Sequence, residues 1–166
     1  KIFEEEISYE GIEEAEQKIL DIFSSRYGDP YEDYIRELYC PGLATLILND
    51  PATLDYPFEV LQEKGYIDVE TSEDGNLRIY TWDTQRGGTM IIWGTIMQYR
   101  TKDTIYTIAN DDIDLEGKID RSDTVIIDTY VLDIHKIYDC HRQPIYLLYS
   151  VFPTSSMMGM YFISAI

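Results

Sequence analysis

The sequence predicts an α+β fold in which N-terminal helices pack on one strongly curved antiparallel sheet of about seven strands. Apolar residues recur at helical spacing in residues 1–65, and from residue 66 β-branched and aromatic residues alternate with polar ones. Turn signals recur at short intervals in the second part, and strands joined by short turns must run antiparallel. We therefore predict a single domain over residues 1–166, with a helical part at 1–65 and a meandering sheet at 66–166.

The helical part contains two amphipathic segments and a shorter third one. Gly11–Tyr27 has apolar residues at helical spacing, and Gly28 follows as a left-handed stop. Asp29-Pro30 is an N-cap and first-turn pair, which predicts that a second helix begins there. Leu43–Leu48 can form another helical stretch, and Asp50-Pro51 offers a further cap.

Seven segments have the alternation and residue content of β-strands. In chain order they are Tyr66–Glu70, Leu77–Thr84, Met90–Arg100, Thr104–Ile108, Thr124–Ile137, Ile145–Phe152 and Met157–Ile166. The turn Glu73-Asp74-Gly75-Asn76 accepts positive φ and predicts a hairpin. Met90–Arg100 is apolar on both faces, which predicts cover on both. Helices are expected on one face, whereas curling of the sheet, a partner chain or further residues remain alternatives for the other.

The net charge restricts the function classes. The chain has 13 Lys and Arg against 31 Asp and Glu, which gives a formal net charge of −18 at pH 7. This excess disfavours duplex nucleic acid and anionic membranes as partners, because no basic surface is available to displace their counterions. No apolar run approaches the roughly 20 residues needed to cross a bilayer, so we predict no integral membrane segment.

The sharpest local motif is an acidic stretch with the spacing of a cation-binding loop. Oxygen donors occupy positions 1, 3, 5, 9 and 12 of twelve: Asp112, Asp114, Glu116, Asp120 and Asp123. Gly117 occupies position 6, where such a loop turns sharply. The pattern suits a hard dication and predicts a possible calcium site. A solvated acidic turn is the alternative, because position 12 is Asp rather than Glu and the flanks are strands rather than helices.

His and Cys residues cluster at residues 135–141. A zinc site needs donors that converge from non-adjacent positions, whereas Cys140 and His141 are neighbours and point to opposite faces of a strand. We therefore expect no transition metal there and expect Cys140 to face inward. Cys40 and Cys140 permit only one intramolecular bridge, and we interpret both as unpaired buried thiols.

Aromatic residues are abundant, with 15 tyrosines and 2 tryptophans. An exposed aromatic side chain on a strand can stack on a sugar or a peptide, and Tyr and Trp are favoured at interfaces. The predicted ligand-binding residues are Trp82, Asp83, Arg86 and Trp93. Packing in the core of the sheet is the alternative for the same aromatic side chains.

Two segments carry a resemblance to a known group of proteins. They are Asp55-Tyr56-Pro57-Phe58 and, downstream, Arg78-Ile79-Tyr80-Thr81-Trp82-Asp83-Thr84-Gln85-Arg86-Gly87-Gly88-Thr89-Met90. With them the sequence resembles uncharacterised exported domains of gut anaerobes. The resemblance implies a small exported α+β protein with no assigned activity, and it transfers no catalytic residue. It also implies an extracytoplasmic location, periplasmic or at the cell surface, where millimolar calcium would match weak extracellular sites.

No catalytic arrangement in the sequence has the spacing or context that it needs. Ser155-Ser156 lacks the glycine-flanked elbow of a serine hydrolase, and Gly87-Gly88-Thr89 lacks the spacing of a phosphate-binding loop. We therefore predict a non-enzymatic binding or interaction module for a protein or carbohydrate ligand. Two other classes stay open: a hydrolase that uses acidic residues or a bound calcium, and a structural subunit that buries an apolar sheet face against a partner.

Overall fold

The computed structural model describes residues 9–24, 42–84, 91–109, 130–155 and 158–166. The described helices are α1 (Tyr9–Ser24), α2 (residues 42–49) and α3 (Glu59–Glu63), with a 3-10 turn at Pro51–Leu54. The described strands are β1 (Asp68–Thr71), β2 (Leu77–Asp83), β3 (Trp93–Arg100), β4 (Ile105–Ala109), β5 (Tyr130–Tyr138), β6 (Pro144–Ser155) and β7 (Met158–Ala165). The helix predicted after Asp29 lies outside these residues.

The described strands form two antiparallel sheets rather than one. Sheet A has the order β1-β2-β3-β4 and sheet B has the order β5-β6-β7. The α+β class with antiparallel strands is therefore confirmed, but the single curved sheet of about seven strands is wrong. Residues 110–129 separate β4 from β5. With this many residues between them, β4 and β5 are not joined by a tight turn, so β5 need not pair with β4.

The larger core lies between the helices and one face of sheet A. Side chains from α1 and α2 pack there against β2 and β3, and the central members are Ile12, Ile19, Leu46, Ile47, Tyr80, Trp82 and Ile96. The apolar positions of α1 recur every three or four residues, which places them on one side of the helix. The helices therefore cover a face of the sheet and not merely one end of it.

A second core lies between the two sheets. Leu77 and Ile79 of β2 pack against Val131 and Ile134 of β5 and Tyr146 of β6. Alternate residues of one strand point to opposite faces, so β2 contributes to both cores. The expectation that the Met90–Arg100 strand is covered on both faces is confirmed, since Ile96 joins the helix-side core and Met97 packs against the core between the sheets. The second cover is sheet B.

Two turns follow the predicted chemistry. The β1–β2 hairpin turns through Gly75, whose φ of 70° is in the left-handed region that glycine accepts at no steric cost. At the start of the 3-10 turn, Asp50 Oδ1 accepts a hydrogen bond of 2.9 Å from the Ala52 amide. Local sequence thus determines where these two elements begin.

A buried polar network anchors the 3-10 turn to sheet A. Gln98 Oε1 accepts a 2.5 Å hydrogen bond from the Tyr80 hydroxyl, and Gln98 Nε2 donates to the carbonyl of Ile47 at 3.0 Å. Thr53 Oγ1 accepts another bond from Gln98 Nε2, also at 3.0 Å. Burial raises the pKa of Tyr80, so its hydroxyl keeps the proton that it donates. Because polar groups in a core must be paired, this network allows one docking position of the turn on the sheet.

Candidate interaction surface

A pocket of about 430 Å³ lies beside α1 and α3. Its lining includes three carboxylates and a tyrosine: Glu13, Glu16, Glu59 and Tyr56. Glu16 is only 3% exposed, yet both of its oxygens are engaged. Tyr56 donates its hydroxyl proton to Oε2 at 2.5 Å, and the Leu61 amide donates to Oε1 at 3.1 Å. The buried carboxylate therefore already has its ligands within the protein.

The role of Glu16 in this pocket is that of a helix cap. The N-cap residue of α3 is Phe58, which makes no side-chain cap hydrogen bond, so the first turn has donors to satisfy. Glu16 reaches across from α1 to accept one of them, the Leu61 amide. Burial, followed by the bond to Glu16, raises the pKa of Tyr56 and keeps its hydroxyl a donor. The pocket is thus better explained as a junction between helices than as a catalytic site.

A charged cluster joins the β1–β2 turn of sheet A to sheet B. Asp74 accepts hydrogen bonds from Lys136 Nζ at 2.5 Å, Ser72 Oγ at 2.7 Å, Asn76 Nδ2 at 2.8 Å and the Tyr146 hydroxyl at 3.0 Å. Burial acts to raise the pKa of Asp74, but these donors outweigh it and hold the pKa well below its ordinary value. Burial and the bond to Asp74 raise the pKa of Tyr146 to about 12. We name this cluster the Asp74 clasp.

Acidic side chains also meet where β1 approaches β5. Burial raises the pKa of Glu70, and the neighbouring carboxylates of Asp133 and Asp68 raise it further. His135 Nε2 lies 3.0 Å from Asp133 Oδ2 on the exposed side of β5. Among the residues that the structure describes, no three His, Cys, Asp or Glu side chains are grouped so as to hold a metal ion.

The predicted ligand-binding residues do not converge on an open surface. Trp82 is 1% exposed and belongs to the helix-side core, so it is not available as a stacking platform. Its indole lies against Gly94, where an added Cβ would approach within 2.4 Å. Trp93 is half-buried and its ring contacts Tyr130 at 4.8 Å, while Asp83 is half-buried at the end of β2. Arg86 lies outside the described residues.

The predicted metal and thiol positions have separate outcomes. All five possible calcium ligands, Asp112, Asp114, Glu116, Asp120 and Asp123, lie outside the described residues, so the calcium site stays a prediction. Cys40 also lies outside them. Cys140 is a free and exposed thiol in the β5–β6 turn, so the expectation that it faces inward is wrong. A turn residue has no neighbouring layer to cover it, and period-2 reasoning does not apply beyond the end of a strand.

An apolar surface occupies the side of sheet B that faces away from sheet A. Register places Tyr149 beside Ile163 and Val151 beside Tyr161 on this side. Tyr161 is 64% exposed and Ile163 is 73% exposed, and the rings of Tyr149 and Tyr161 stack at 5.8 Å. Together with Leu147, Ile145 and Ile137 these residues form what we name the outer face of sheet B, which is bordered on β5 by Asp133 beside Tyr149 and His135 beside Leu147.

The outer face belongs to a segment that is unusual for this chain. The last 24 residues, Gln143–Ile166, contain no Asp, Glu, Lys, Arg or His, although charged residues make up 27% of the chain. The alternation in β6 and β7 predicts strands but does not reveal that one of their faces is open. The charge-free segment is the signal that identifies the surface, because surface-exposed strands in such an acidic chain are expected to carry charge.

Comparisons with protein-family models, curated proteins and solved structures found no match for this chain. The resemblance to exported domains of gut anaerobes therefore stays a prediction. Among the described helices, none has the length and apolar character that crossing a membrane requires.

Proposed function

We propose that this protein is a non-enzymatic interaction module, acting outside the cytoplasm, that binds a partner protein through the outer face of sheet B. One observation carries the proposal: β6 and β7 present stacked tyrosines and aliphatic side chains without a charged residue, with Ile163 73% exposed, in a chain of net charge −18. Exposed apolar surface costs free energy in water, and aromatic side chains dominate the energetic centres of protein interfaces.

The form of the outer face favours a protein over a carbohydrate. Sugar sites combine an aromatic platform with polar groups that bind hydroxyls, whereas the β6–β7 hairpin supplies no charged side chain, and Asp133 and His135 at the β5 border of the face pair with each other at 3.0 Å. Protein interfaces instead concentrate aromatic and aliphatic residues at their centre and exclude charge from it. The rigid β6–β7 ladder behind the face presents these side chains without loop ordering, which lowers the entropic cost of binding.

The accessible outer face is tested with bis-ANS, a dye whose fluorescence rises on apolar surfaces. We expect the native protein to bind the dye and Tyr149→Lys, on the central strand of sheet B, to reduce the fluorescence at least about twofold. The matched control is Tyr106→Lys, which replaces an exposed tyrosine on β4 of sheet A and should leave it unchanged. Native protein that binds no dye, or equal loss in both variants, would contradict the proposal.

We propose calcium binding as a separate property, because the acidic stretch at residues 112–123 has the spacing of a twelve-residue cation-binding loop. Calorimetric titration of chelator-treated protein with calcium chloride tests it. We expect heat of binding and a raised melting temperature at millimolar calcium, both lost in the double variant Asp112→Asn and Asp114→Asn. Absence of heat in the native protein would remove calcium from the function.

A further inference from the structure

We propose that β7 pairs with β7 of a second copy of this chain, antiparallel and edge to edge, so that the described strands of the two sheets B form one continuous sheet. This inference goes beyond the proposed function, since edge-to-edge pairing uses the backbone edge of β7 and leaves the outer face of sheet B open to a partner.

The backbone of β7 offers an open row of hydrogen-bonding groups. Tyr146 and Ile166 exchange both of their backbone hydrogen bonds at 3.0 Å, which makes them a hydrogen-bonded pair of the β6–β7 ladder. Because such pairs alternate along an antiparallel ladder, the N–H and C=O groups of Tyr161, Ile163 and Ala165 point away from β6. Among the described strands β7 is the last of sheet B, so these groups face its edge.

This edge lacks the features that natural sheets use against edge-to-edge pairing. Such features are short length, charged side chains, proline and bulges that twist the edge away. Strand β1, at the edge of sheet A, is four residues long and carries Asp68 and Glu70. Strand β7 is eight residues long and contains neither a charged residue nor a proline, and the register shift of its ladder lies on β6 between Pro153 and Ser155, away from Met160–Ala165. Its composition is that of a strand with neighbours on both sides.

Charge identifies a second copy as the partner that suits this edge. No carboxylate in residues 143–166 is available to attract a basic strand, so the edge favours a strand that is itself uncharged. The chain supplies such a strand in its own β7. The nearest described charges of sheet B lie on β5, and two β5 strands would be five strand spacings apart, about 24 Å. This distance exceeds the screening length of about 8 Å at physiological salt, so the excess negative charge does not oppose pairing here.

Side chains on the outer face add to the backbone pairing. The edge residues Tyr161 and Ile163 are also the most exposed residues of the outer face. A two-fold axis beside β7 would bring each copy's Ile163 and Tyr161 next to those of the other, since a closed dimer uses the same patch on both subunits. The stacked Tyr149–Tyr161 pair would then continue across the axis as one aromatic and aliphatic stripe.

Sedimentation equilibrium from about 5 to about 500 µM protein tests the proposal. We expect a monomer–dimer equilibrium for the native chain that is nearly independent of salt at and above physiological ionic strength, because the charged β5 strands lie beyond the screening length. Ile163→Pro removes an N–H that points to the edge and keeps every β6–β7 bond, a placement that edge strands tolerate. It should raise the dissociation constant at least about tenfold, whereas Tyr106→Lys on β4 should leave it unchanged.

Two further measurements distinguish weaker pairing of β7 from unfolding of the variant. Ile163→Lys places two like charges near the axis and should weaken the dimer similarly, and circular dichroism should show that it remains folded. Amide exchange should slow with rising concentration at Tyr161, Ile163 and Ala165, but not at the alternate positions already bonded to β6. A native chain that stays monomeric, or a dimer that ignores both Ile163 variants, would overturn self-pairing. A monomer whose dye binding is lost in Tyr149→Lys would overturn self-pairing alone and leave the proposed function standing.

Discussion

Strands β3 and β7 are both mostly apolar, but they lie in opposite environments. Strand β3 has a single charge at its end, Arg100, and β7 has none. Ile96 of β3 is fully buried because helices cover one face of sheet A and sheet B covers the other. Ile163 of β7 is 73% exposed because no described layer lies over the outer face. Alternation of apolar and polar residues therefore predicts a strand, whereas the layers that pack on the sheet determine how much of that strand is buried.

The largest expected effect comes from placing the same charge at these two positions. Ile96→Lys buries an ammonium group in a core that offers it no carboxylate, so we expect a loss of more than about 4 kcal/mol in the free energy of unfolding and little folded protein. Urea denaturation followed by tryptophan fluorescence measures it. The matched variant Ile163→Lys should change the unfolding free energy of the monomer by less than about 0.5 kcal/mol. Similar losses at both positions would show that the outer face is covered in solution.

We expect a smaller loss of stability when a strand glycine is replaced by alanine, and we expect the loss to differ between Gly94 of sheet A and Gly159 of sheet B. At Gly94, an added Cβ would approach three atoms of the Trp82 indole within 2.4 to 2.7 Å. Because Trp82 is enclosed by the helix-side core, Gly94→Ala should lower the unfolding free energy by about 1–3 kcal/mol. At Gly159 of β7 the Cβ meets one methyl of the half-buried Val151, which can rotate, so Gly159→Ala should cost less than about 1 kcal/mol. Equal losses in urea denaturation would contradict the difference in packing.

On the helix side of sheet A, Glu16→Ala tests the cap of α3. The substitution leaves the Leu61 amide and the Tyr56 hydroxyl without their acceptor, and we expect a loss of about 1–3 kcal/mol in thermal or urea unfolding. Glu14→Ala is the control on the same helix, because its ion pair with Lys18 is exposed and is worth less than about 1 kcal/mol. Loss of stability in the control alone would refute the capping role.

On the sheet B side, Asp74→Asn tests the Asp74 clasp through its dependence on pH. The folded pKa of Asp74 is lowered, so the unfolded chain binds the proton more tightly than the folded one. The stabilisation is therefore present above the unfolded pKa near 4 and is lost as pH falls below it. We expect the variant to lose about 1–2 kcal/mol at neutral pH, and its difference from the native protein to shrink in acid. A difference that stays constant down to about pH 2 would exclude the clasp as its source.

Turn and strand positions were predictable because their causes are local. The Asp50 cap and the Gly75 turn depend on backbone geometry that neighbouring residues impose. The partner sheet of β5 was not predictable, because a strand pattern does not encode which ladder the strand joins after a long connection. The burial of Trp82 was not predictable either, because an aromatic residue on a strand suits a core and a surface equally well.

The α+β class, the approximate positions of the described strands and the concentration of charge outside residues 143–166 could all be read from the amino-acid sequence. These properties follow from side-chain periodicity, turn chemistry and composition, each of which acts over a few residues. The three-dimensional packing was needed to show that the described strands form two sheets, that Trp82 is buried and that Tyr161 and Ile163 are exposed on the outer face of sheet B. Burial depends on which layers meet across long stretches of chain, and no local pattern contains that information.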